Sequence, residues 1–176
     1  MSLEVIYYVA ASLDGYIGPP DGSVAWLSPF EGGGEDYGYA QFFASVDSVL
    51  LGRKTYEQSL TFGRWPYKGK RCWVFSRQKL KVTKPGVALT QKSPRQVVRE
   101  MKTQGMRRTW LVGGGELAGA FRAEGLIKEY IVSVIPIIRG AGVRMFGEDG
   151  SPERLTLVVS QRYPSGIIQL RYVKEA

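Results

Sequence analysis

Three separate segments of this sequence are rich in glycine, basic or hydroxyl residues, the residue types suited to binding phosphate. They are Gly52-Arg53-Lys54-Thr55, Ser76-Arg77 and Gly113-Gly114-Gly115. Glycine lets a ligand come close to the backbone, and arginine makes charge-assisted, partly bidentate bonds to phosphate oxygens. A lone arginine is more often an exposed surface charge, so the prediction of a phosphate site depends on the joint occurrence of the three segments.

The third segment has the pattern of a strand that ends in a tight turn and opens a helix. An apolar run over residues 109–112 stops at three glycines, and a helix-compatible run over 116–121 follows. The unpaired N–H groups of a helix start suit a pyrophosphate. Residues 113–118 also match the dinucleotide fingerprint G-x-G-x-x-G/A, but they come too late in the chain to open a doubly wound domain. The alternative is that these glycines only allow a helix to pack closely on a strand.

Missing residue types limit the chemistry further. The chain has no histidine and a single cysteine, Cys72. This composition excludes Ser-His and Cys-His nucleophile pairs and argues against a zinc site, so no metal is predicted. The chemistry must then come from carboxylates, tyrosines, lysines or a bound cofactor. One cysteine also excludes an internal disulfide and favours a reducing, cytoplasmic location.

The net charge of +8 favours anionic partners. The Lys and Arg residues are scattered, with no run longer than Arg107-Arg108, so nucleic acid is not favoured as a partner. Small phosphorylated molecules would explain the same excess, and a solvated basic surface with no binding role is the alternative.

Length and hydropathy predict one domain spanning residues 1–176. Hydrophobic residues make up 44% of the chain and charged residues 23%, enough to bury a core. No uninterrupted apolar run has membrane-spanning length, and the N-terminus lacks the pattern of a signal peptide, so no membrane association is predicted.

Apolar runs that alternate with helix-compatible segments predict an α/β fold. Buried strands are predicted at residues 5–11, 48–51, 71–76, 86–90, 109–112 and 126–138. Helices are predicted through residues 39–46, from Gly52, and from Ser93 to about Thr103. Residues 155–163 and 167–173 predict a closing antiparallel hairpin. This order predicts a mostly parallel central sheet with an antiparallel edge and helices on both faces.

Each phosphate-suited segment follows a predicted strand. In an open α/β sheet, ligands bind beyond the carboxyl ends of the strands, so the three segments are expected to meet at one edge. There the glycines and the helix start would take the pyrophosphate of a dinucleotide, while Arg53 and Arg77 would take a terminal monophosphate.

Several of these motifs resemble those of dihydrofolate reductases: Ser12 to Gly18, Leu50 to Glu57 and Leu111 to Gly115. A closer resemblance is to the RibD C-terminal domain, the reductase domain of riboflavin biosynthesis, and to its stand-alone homologues. Residues 133–146 carry it, with a strand, a proline, a glycine-x-glycine and an apolar pair. The resemblance covers nearly the whole chain and implies a dihydrofolate-reductase-like three-layer fold without the fused zinc deaminase.

The resemblance also implies NADPH as the cofactor. By similarity, Ala10 and Ile17 would line the nicotinamide. The pyrophosphate and the adenosine 2′-phosphate would be held by Gly52, Arg53, Lys54 and Thr55, with Ser76 and Arg77 completing the 2′-phosphate pocket. The residues that would pack the nicotinamide ribose and the pyrophosphate are Val112, Gly113, Gly114, Gly115, Glu116 and Leu117.

Counting back from Gly52, as in folate reductases, puts Asp36 at the position of their catalytic carboxylate. In an apolar cleft its pKa would rise, which would let it donate a proton near neutral pH. Alternatively, Asp36 is a helix N-cap, and substrate groups or water deliver the proton. Four aromatic residues would line a flat substrate pocket unless they simply belong to the core: Tyr8, Trp26, Tyr39 and Phe42.

The leading hypothesis is an NADPH-dependent reductase that transfers hydride to a carbonyl or imine carbon of a small heterocyclic substrate. By resemblance, that substrate is 5-amino-6-(5-phosphoribosylamino)uracil, with dihydrofolate or another pterin as the alternative. The alternative from another class is a catalytically silent module that binds nucleotides or nucleic acid. The long late strands leave room for a homodimer.

Overall fold

A computed structural model describes residues 2–148 and 150–175 of the chain. The strands in these ranges are β1 (Glu4–Ser12), β2 (Tyr16–Gly18), β3 (Ser48–Gly52), β4 (Arg71–Phe75), β5 (Val87–Thr90), β6 (Arg108–Gly113), β7 (Ile127–Ile135), β8 (Val143–Arg144), β9 (Leu155–Arg162) and β10 (Ile168–Lys174). The α-helices are α1 (Tyr39–Ser45), α2 (Arg53–Ser59), α3 (Pro94–Thr103) and α4 (Gly115–Ala123). Two 3-10 helices, Ala25–Phe30 and Leu60–Phe62, complete the regular structure of this part of the chain.

Eight strands form one sheet in the order β5-β4-β3-β6-β1-β7-β10-β9. The first six in that order run parallel to one another, and β10 is antiparallel to both β7 and β9. The predicted α/β class, with a mostly parallel sheet and an antiparallel C-terminal hairpin, is therefore confirmed. Because the first six strands are parallel, their carboxyl ends lie together at one edge, called here the carboxyl edge.

Helices cover both faces of the sheet, as predicted. On the face called here the α1 face, Phe42 of α1 and Tyr56 of α2 pack with buried residues of β3, β4 and β6. On the opposite face, the α4 face, Met101 of α3 and Phe121 of α4 pack with buried residues of β1, β3 and β7. Burial on both faces accounts for the continuous apolar runs of the central strands. Each fully buried aliphatic or Phe side chain contributes about 1.5–3 kcal/mol relative to exposure.

The best-defined helix start is that of α3, which the Ser93-Pro94 pair predicts. The Ser93 hydroxyl accepts from the Gln96 N–H at 3.3 Å, and the Gln96 amide oxygen accepts from the Ser93 N–H at 3.0 Å. This capping box satisfies two N–H groups that have no partner inside the helix. No helix in residues 2–148 and 150–175 is long and apolar enough to cross a membrane.

The segment of residues 143–147, which follows β7, crosses directly over α4. A Cβ atom at Gly119 would overlap the carbonyl oxygen of Phe146, so only glycine allows this approach of helix and segment. The hydroxyl of Tyr7 on β1 donates to the carbonyl of Met145 at 2.7 Å, and the Phe146 ring meets the Tyr7 ring edge-on at 5.5 Å. These contacts fix residues 143–147 against both α4 and the centre of the sheet.

We expect Gly119→Ala to destabilise the protein by about 1–3 kcal/mol, the usual cost of overpacking. Helix propensity alone would predict the opposite, a gain in stability, because alanine favours the helix more than glycine does. Urea unfolding measures the difference. Gly32→Ala is the matched control, because a Cβ atom at Gly32 would meet no atom within 4 Å. A Gly119→Ala protein as stable as the control would contradict the close contact.

Candidate cofactor and substrate site

The three phosphate-suited segments follow three adjacent strands. Strand β3 lies between β4 and β6, and the three are parallel. Arg53 follows β3, Ser76-Arg77 follows β4, and the glycine segment begins at the last residue of β6. The structure thus places all three predicted segments side by side at the carboxyl edge.

Two of these segments touch through their backbones. A Cβ atom at Gly52 would lie 3.4 Å from the Gly113 oxygen and 3.5 Å from the Gly114 nitrogen. A Cβ atom at Gly114 would lie 3.8 Å from Oγ1 of Thr55. Gly113 has a φ of +117°, which side chains rarely tolerate, and the Gly113–Gly114 peptide is cis. The starts of α2 and α4 therefore form a narrow backbone cradle, which a methyl group at Gly52 or Gly114 would fill.

The N-terminus of α4 opens into this cradle. Gly114 is the extended N-cap residue of this nine-residue helix, and no side chain of the described residues caps it. The first N–H groups of any helix have no partner inside the helix, and together with the helix dipole they attract an anion. The cradle and the helix start together suit a pyrophosphate. Gly115 has a second role, since its Cβ atom would overlap a carbonyl of residues 143–147; close packing accounts for this glycine.

Two arginines lie at the carboxyl edge on the β3 and β4 side of the cradle. Nη1 of Arg53 lies 3.0 and 3.2 Å from the two carboxylate oxygens of Glu57, one helical turn further on in α2. Arg77 is exposed, and its carbonyl accepts from the Gln91 side chain at 3.4 Å. Lys54 is also exposed. These cations give the edge a positive charge at the end of the sheet that carries β3 and β4.

Ser76 has a different environment from the one predicted for a phosphate ligand. It is buried, and its hydroxyl both donates to the Gln78 carbonyl at 2.7 Å and accepts from the Gln78 N–H at 3.1 Å. The hydroxyl therefore holds the turn after β4, and the exposed Arg77 side chain is the better candidate for direct contact with a phosphate.

The remaining predicted cofactor residues lie near the same edge. Ala10 is half-buried in β1, where it pairs with Ser133 of β7, and Ile17 is half-buried in β2. Val112 and Leu117 are half-buried on either side of the glycines, and Glu116 is exposed in the first turn of α4.

Three of the four predicted substrate-pocket aromatics form one cluster on the α1 face. The ring of Tyr8 lies 4.5 Å from that of Phe42 and is stacked with that of Tyr39 at 6.4 Å. Trp110, which the prediction did not include, joins all three. Trp26 stays outside the cluster, since its ring lies under the Arg139 guanidinium at 5.3 Å.

Asp36 differs from its expected environment. The carboxylate is exposed and accepts from the Gly38 N–H at 2.9 Å and the Ala40 N–H at 3.0 Å, at the start of α1. These backbone hydrogen bonds, first that from Ala40, lower the pKa of Asp36. The predicted rise in this pKa is therefore wrong, because no apolar cleft surrounds the carboxylate, and the group caps the helix. A role for Asp36 in proton transfer stays a prediction.

A polar cluster beside Tyr8 was missed by the sequence reasoning. Nε2 of Gln169 on β10 donates to the Tyr37 carbonyl and the Ser133 hydroxyl, each at 3.1 Å, and lies 3.4 Å from the Tyr8 hydroxyl. The contacts join residues up to 161 positions apart in the chain. A glutamine in a strand of mixed polarity gives no sequence signal for such a position.

Comparison with known proteins agrees with this geometry. The family model of the RibD C-terminal domain matches residues 4–169. The uncharacterized protein YwjB of Bacillus subtilis is 35% identical over 175 residues, covering 99% of each chain. A second B. subtilis protein, the uncharacterized YyaP, is 27% identical over 96% of this chain and 94% of its own.

Solved structures share the fold. The putative riboflavin biosynthesis protein of Shewanella sp. PV-4 is 28% identical, with a TM-score of 0.89 over 99% of this chain and 100% of that chain. The diaminohydroxyphosphoribosylaminopyrimidine deaminase/5-amino-6-(5-phosphoribosylamino)uracil reductase of Thermotoga maritima is 14% identical, with a TM-score of 0.74 over 99% of this chain and 57% of that chain. At that identity the second likeness shows the fold alone.

We expect Asp36→Ala to lower the free energy of unfolding at neutral pH by removing the cap of α1. The folded-state pKa of Asp36 is depressed, so its stabilisation is present above the unfolded-state pKa and is lost as the pH falls through the folded-state pKa. Urea unfolding at about pH 7 and about pH 3 should therefore show a gap between wild type and variant that narrows in acid. Glu31→Ala, which removes an exposed carboxylate from the same loop, is the control. A gap of equal size at both pH values would contradict the capping role.

Proposed function

Because this chain belongs to the RibD C-terminal domain family, whose members are reductases, we propose that it is an NADPH-dependent reductase of a small heterocyclic substrate. The hydride goes to a carbonyl or imine carbon. The favoured substrate is 5-amino-6-(5-phosphoribosylamino)uracil, the compound named for the T. maritima relative.

The observation that carries the proposal is the backbone cradle between the starts of α2 and α4. Gly52, Gly113 and Gly114 leave room for a ligand against the backbone, and the α4 N-terminus directs there N–H groups that have no partner inside the helix. A pyrophosphate fills both requirements, since it is a compact dianion that accepts several hydrogen bonds. The cofactor therefore matches the residues present.

The preference for NADPH over NADH is assigned to Arg53 and Arg77. They follow the neighbouring strands β3 and β4, so both guanidinium groups can reach a 2′-phosphate beside the cradle. Within residues 2–148 and 150–175, the hydrogen bonds of the Arg53 guanidinium are made by Nη1 to Glu57, which leaves Nε and Nη2 for a phosphate. Arginine suits this task because its planar fork bonds two phosphate oxygens at once.

When bound, the dihydronicotinamide supplies the hydride. The protein's part is to bind and orient: Ala10 and Ile17 line the nicotinamide, and the aromatic cluster of Tyr8, Tyr39 and Phe42 offers a flat apolar surface to a heterocycle. Aromatic groups stack favourably in offset or edge-on geometry, worth about 0.5–1.5 kcal/mol per pair beyond area burial.

Two further features stay predictions. Strand β9 forms an edge of the sheet and is exposed along nearly its whole length, which leaves room for the predicted homodimer. A cytoplasmic location is predicted from the single cysteine.

We expect Arg53→Ala to weaken NADPH binding by about tenfold to a hundredfold, because a charged hydrogen bond contributes about 1.5–3 kcal/mol. NADH binding should change by no more than about twofold, since it lacks the 2′-phosphate. Titration of nicotinamide fluorescence gives both dissociation constants.

Arg107→Ala is the matched control for this experiment. It removes the same charge from an exposed position just before β6, at the opposite edge of the sheet. The assignment of Arg53 to the 2′-phosphate would be overturned if Arg53→Ala weakened the binding of NADPH and NADH equally. It would also be overturned if Arg53→Ala and Arg107→Ala weakened NADPH binding equally.

A further inference from the structure

The polar cluster next to the aromatic cluster contains a phenol whose proton has no acceptor among the described residues. Tyr8 lies in β1 and Ser133 in β7, while Gln169 lies in β10, so three adjacent strands build the cluster. Ser133 pairs with Ala10, which is two residues beyond Tyr8 on the same face of β1. Tyr8 and Ala10, the residue that would line the nicotinamide, therefore face the same side of the sheet.

The Tyr37 carbonyl fixes the orientation of the Gln169 amide. A carbonyl can only accept, so the group 3.1 Å from it must be the amide nitrogen of Gln169. The two hydrogens of that nitrogen go to the Tyr37 carbonyl and the Ser133 hydroxyl, both at 3.1 Å, so the Tyr8 hydroxyl at 3.4 Å shares one of them as a second, weaker acceptor. Each hydroxyl keeps its own hydrogen, and among the described residues neither donates it to an acceptor.

Tyr8 is also chemically suited to hold that proton. Burial raises the pKa of Tyr8 to about 12, and the hydrogen bond from Gln169 acts in the opposite direction by favouring the phenolate. The phenol stays protonated throughout the neutral range, yet a donor already faces the oxygen that would become negative. Such a contact stabilises charge where it develops.

Asp36 does not offer an equivalent proton. Its depressed pKa keeps it ionised at neutral pH, and both carboxylate oxygens already accept from backbone N–H groups of α1. The chain has no histidine. Among the groups that the structure places beside the aromatic cluster, the Tyr8 phenol combines a proton without an acceptor in the described residues with an oxygen that faces Gln169.

We propose that the Tyr8 hydroxyl is the proton donor to the substrate and that Gln169 is the positioning residue that orients it. This inference rests on the proposed reductase function and names a group for its proton step.

Hydride transfer and proton transfer together reduce the substrate. The substrate carbon gains a C–H bond and its electron pair as the C4–H bond of the dihydronicotinamide breaks, so the substrate is reduced and the nicotinamide is oxidised. The π electrons of the C=O or C=N bond move to the heteroatom. That heteroatom takes the proton as the Tyr8 O–H bond breaks, and the phenolate, held by Gln169, recovers a proton from water.

Tyr8→Phe tests the proposal, because it removes the hydroxyl and keeps the aromatic ring. The assay follows NADPH oxidation with 5-amino-6-(5-phosphoribosylamino)uracil, and separately with dihydrofolate, from about pH 5 to about pH 10. We expect kcat to fall by about 10²–10⁴-fold, the usual effect of losing a general acid, with KM and the NADPH dissociation constant within about twofold. Gln169→Leu should lower kcat by a smaller factor than Tyr8→Phe does, and its NADPH dissociation constant should equal that of the wild type. Tyr163→Phe, the same change in a ring that contacts Tyr37, is the control and should keep the wild-type kcat.

The outcomes separate the two claims. A wild-type kcat that is flat through the neutral range, together with the loss in Tyr8→Phe, supports the assignment. Two results would overturn the assignment of Tyr8 and leave the reductase function intact. One is a Tyr8→Phe protein with the wild-type kcat. The other is a wild-type kcat that falls as the pH rises through the acidic range, as expected when a carboxyl group that donates the proton ionises. If wild type binds NADPH but oxidises it with neither substrate, the proposed function fails on those substrates and the Tyr8 assignment fails with it. If NADPH does not bind at all, both are wrong.

Discussion

The contact of two backbones at the carboxyl edge is the constraint on which the rest of the site depends. Gly52 comes within van der Waals reach of the Gly113–Gly114 peptide only because β3 and β6 are neighbours, run parallel and end level with each other. No side chain intervenes, so the starts of two helices converge on one small volume. The position of the two cations follows from the same parallel arrangement, since Arg53 stands directly after β3 and Arg77 follows the neighbouring strand β4.

Helix α1 covers only part of the α1 face, so the candidate site has an aromatic part under the helix and a polar part beside it. On the α1 face, α1 packs over β1 and β6 through Phe42, which contacts both Tyr8 and Trp110. Further along that face, over β7 and β10, the loop residue Tyr37 reaches Gln169 in place of a helix. An aromatic surface thus adjoins a polar cluster, as a heterocycle with an apolar plane and polar edges would require. On the α4 face, residues 143–147 pack tightly against α4, so that face offers no comparable opening there.

Local sequence determined most of the fold. Apolar runs bounded by glycine and proline predicted the central strands, and the Ser93-Pro94 pair predicted the start of α3. The meeting of the three phosphate-suited segments could be predicted because parallel strands align their carboxyl ends whatever their order in the sheet.

What escaped prediction depends on side-chain packing between distant residues. Trp26 pairs with Arg139, and Gln169 on β10 reaches Tyr8 on β1 across the intervening strand β7. Gly119 lies against the Phe146 carbonyl, in a segment that has no periodic sequence pattern. The predicted direction of the Asp36 pKa shift was wrong because the carboxylate is exposed and accepts from backbone N–H groups, first that of Ala40, which a sequence count does not reveal.

Backbone amide chemical shifts of ¹⁵N-labelled protein, followed as NADP⁺ is added, test the central claim most directly. A dinucleotide in the backbone cradle should shift the amides of residues 52–55 and 113–117 most strongly, with smaller changes at 76–77. The amides at the opposite edge, such as those of Glu4, Arg71 and Arg107, should stay in place. Saturable shifts confined to that opposite edge, or none at residues 113–117 at saturating NADP⁺, would contradict the account.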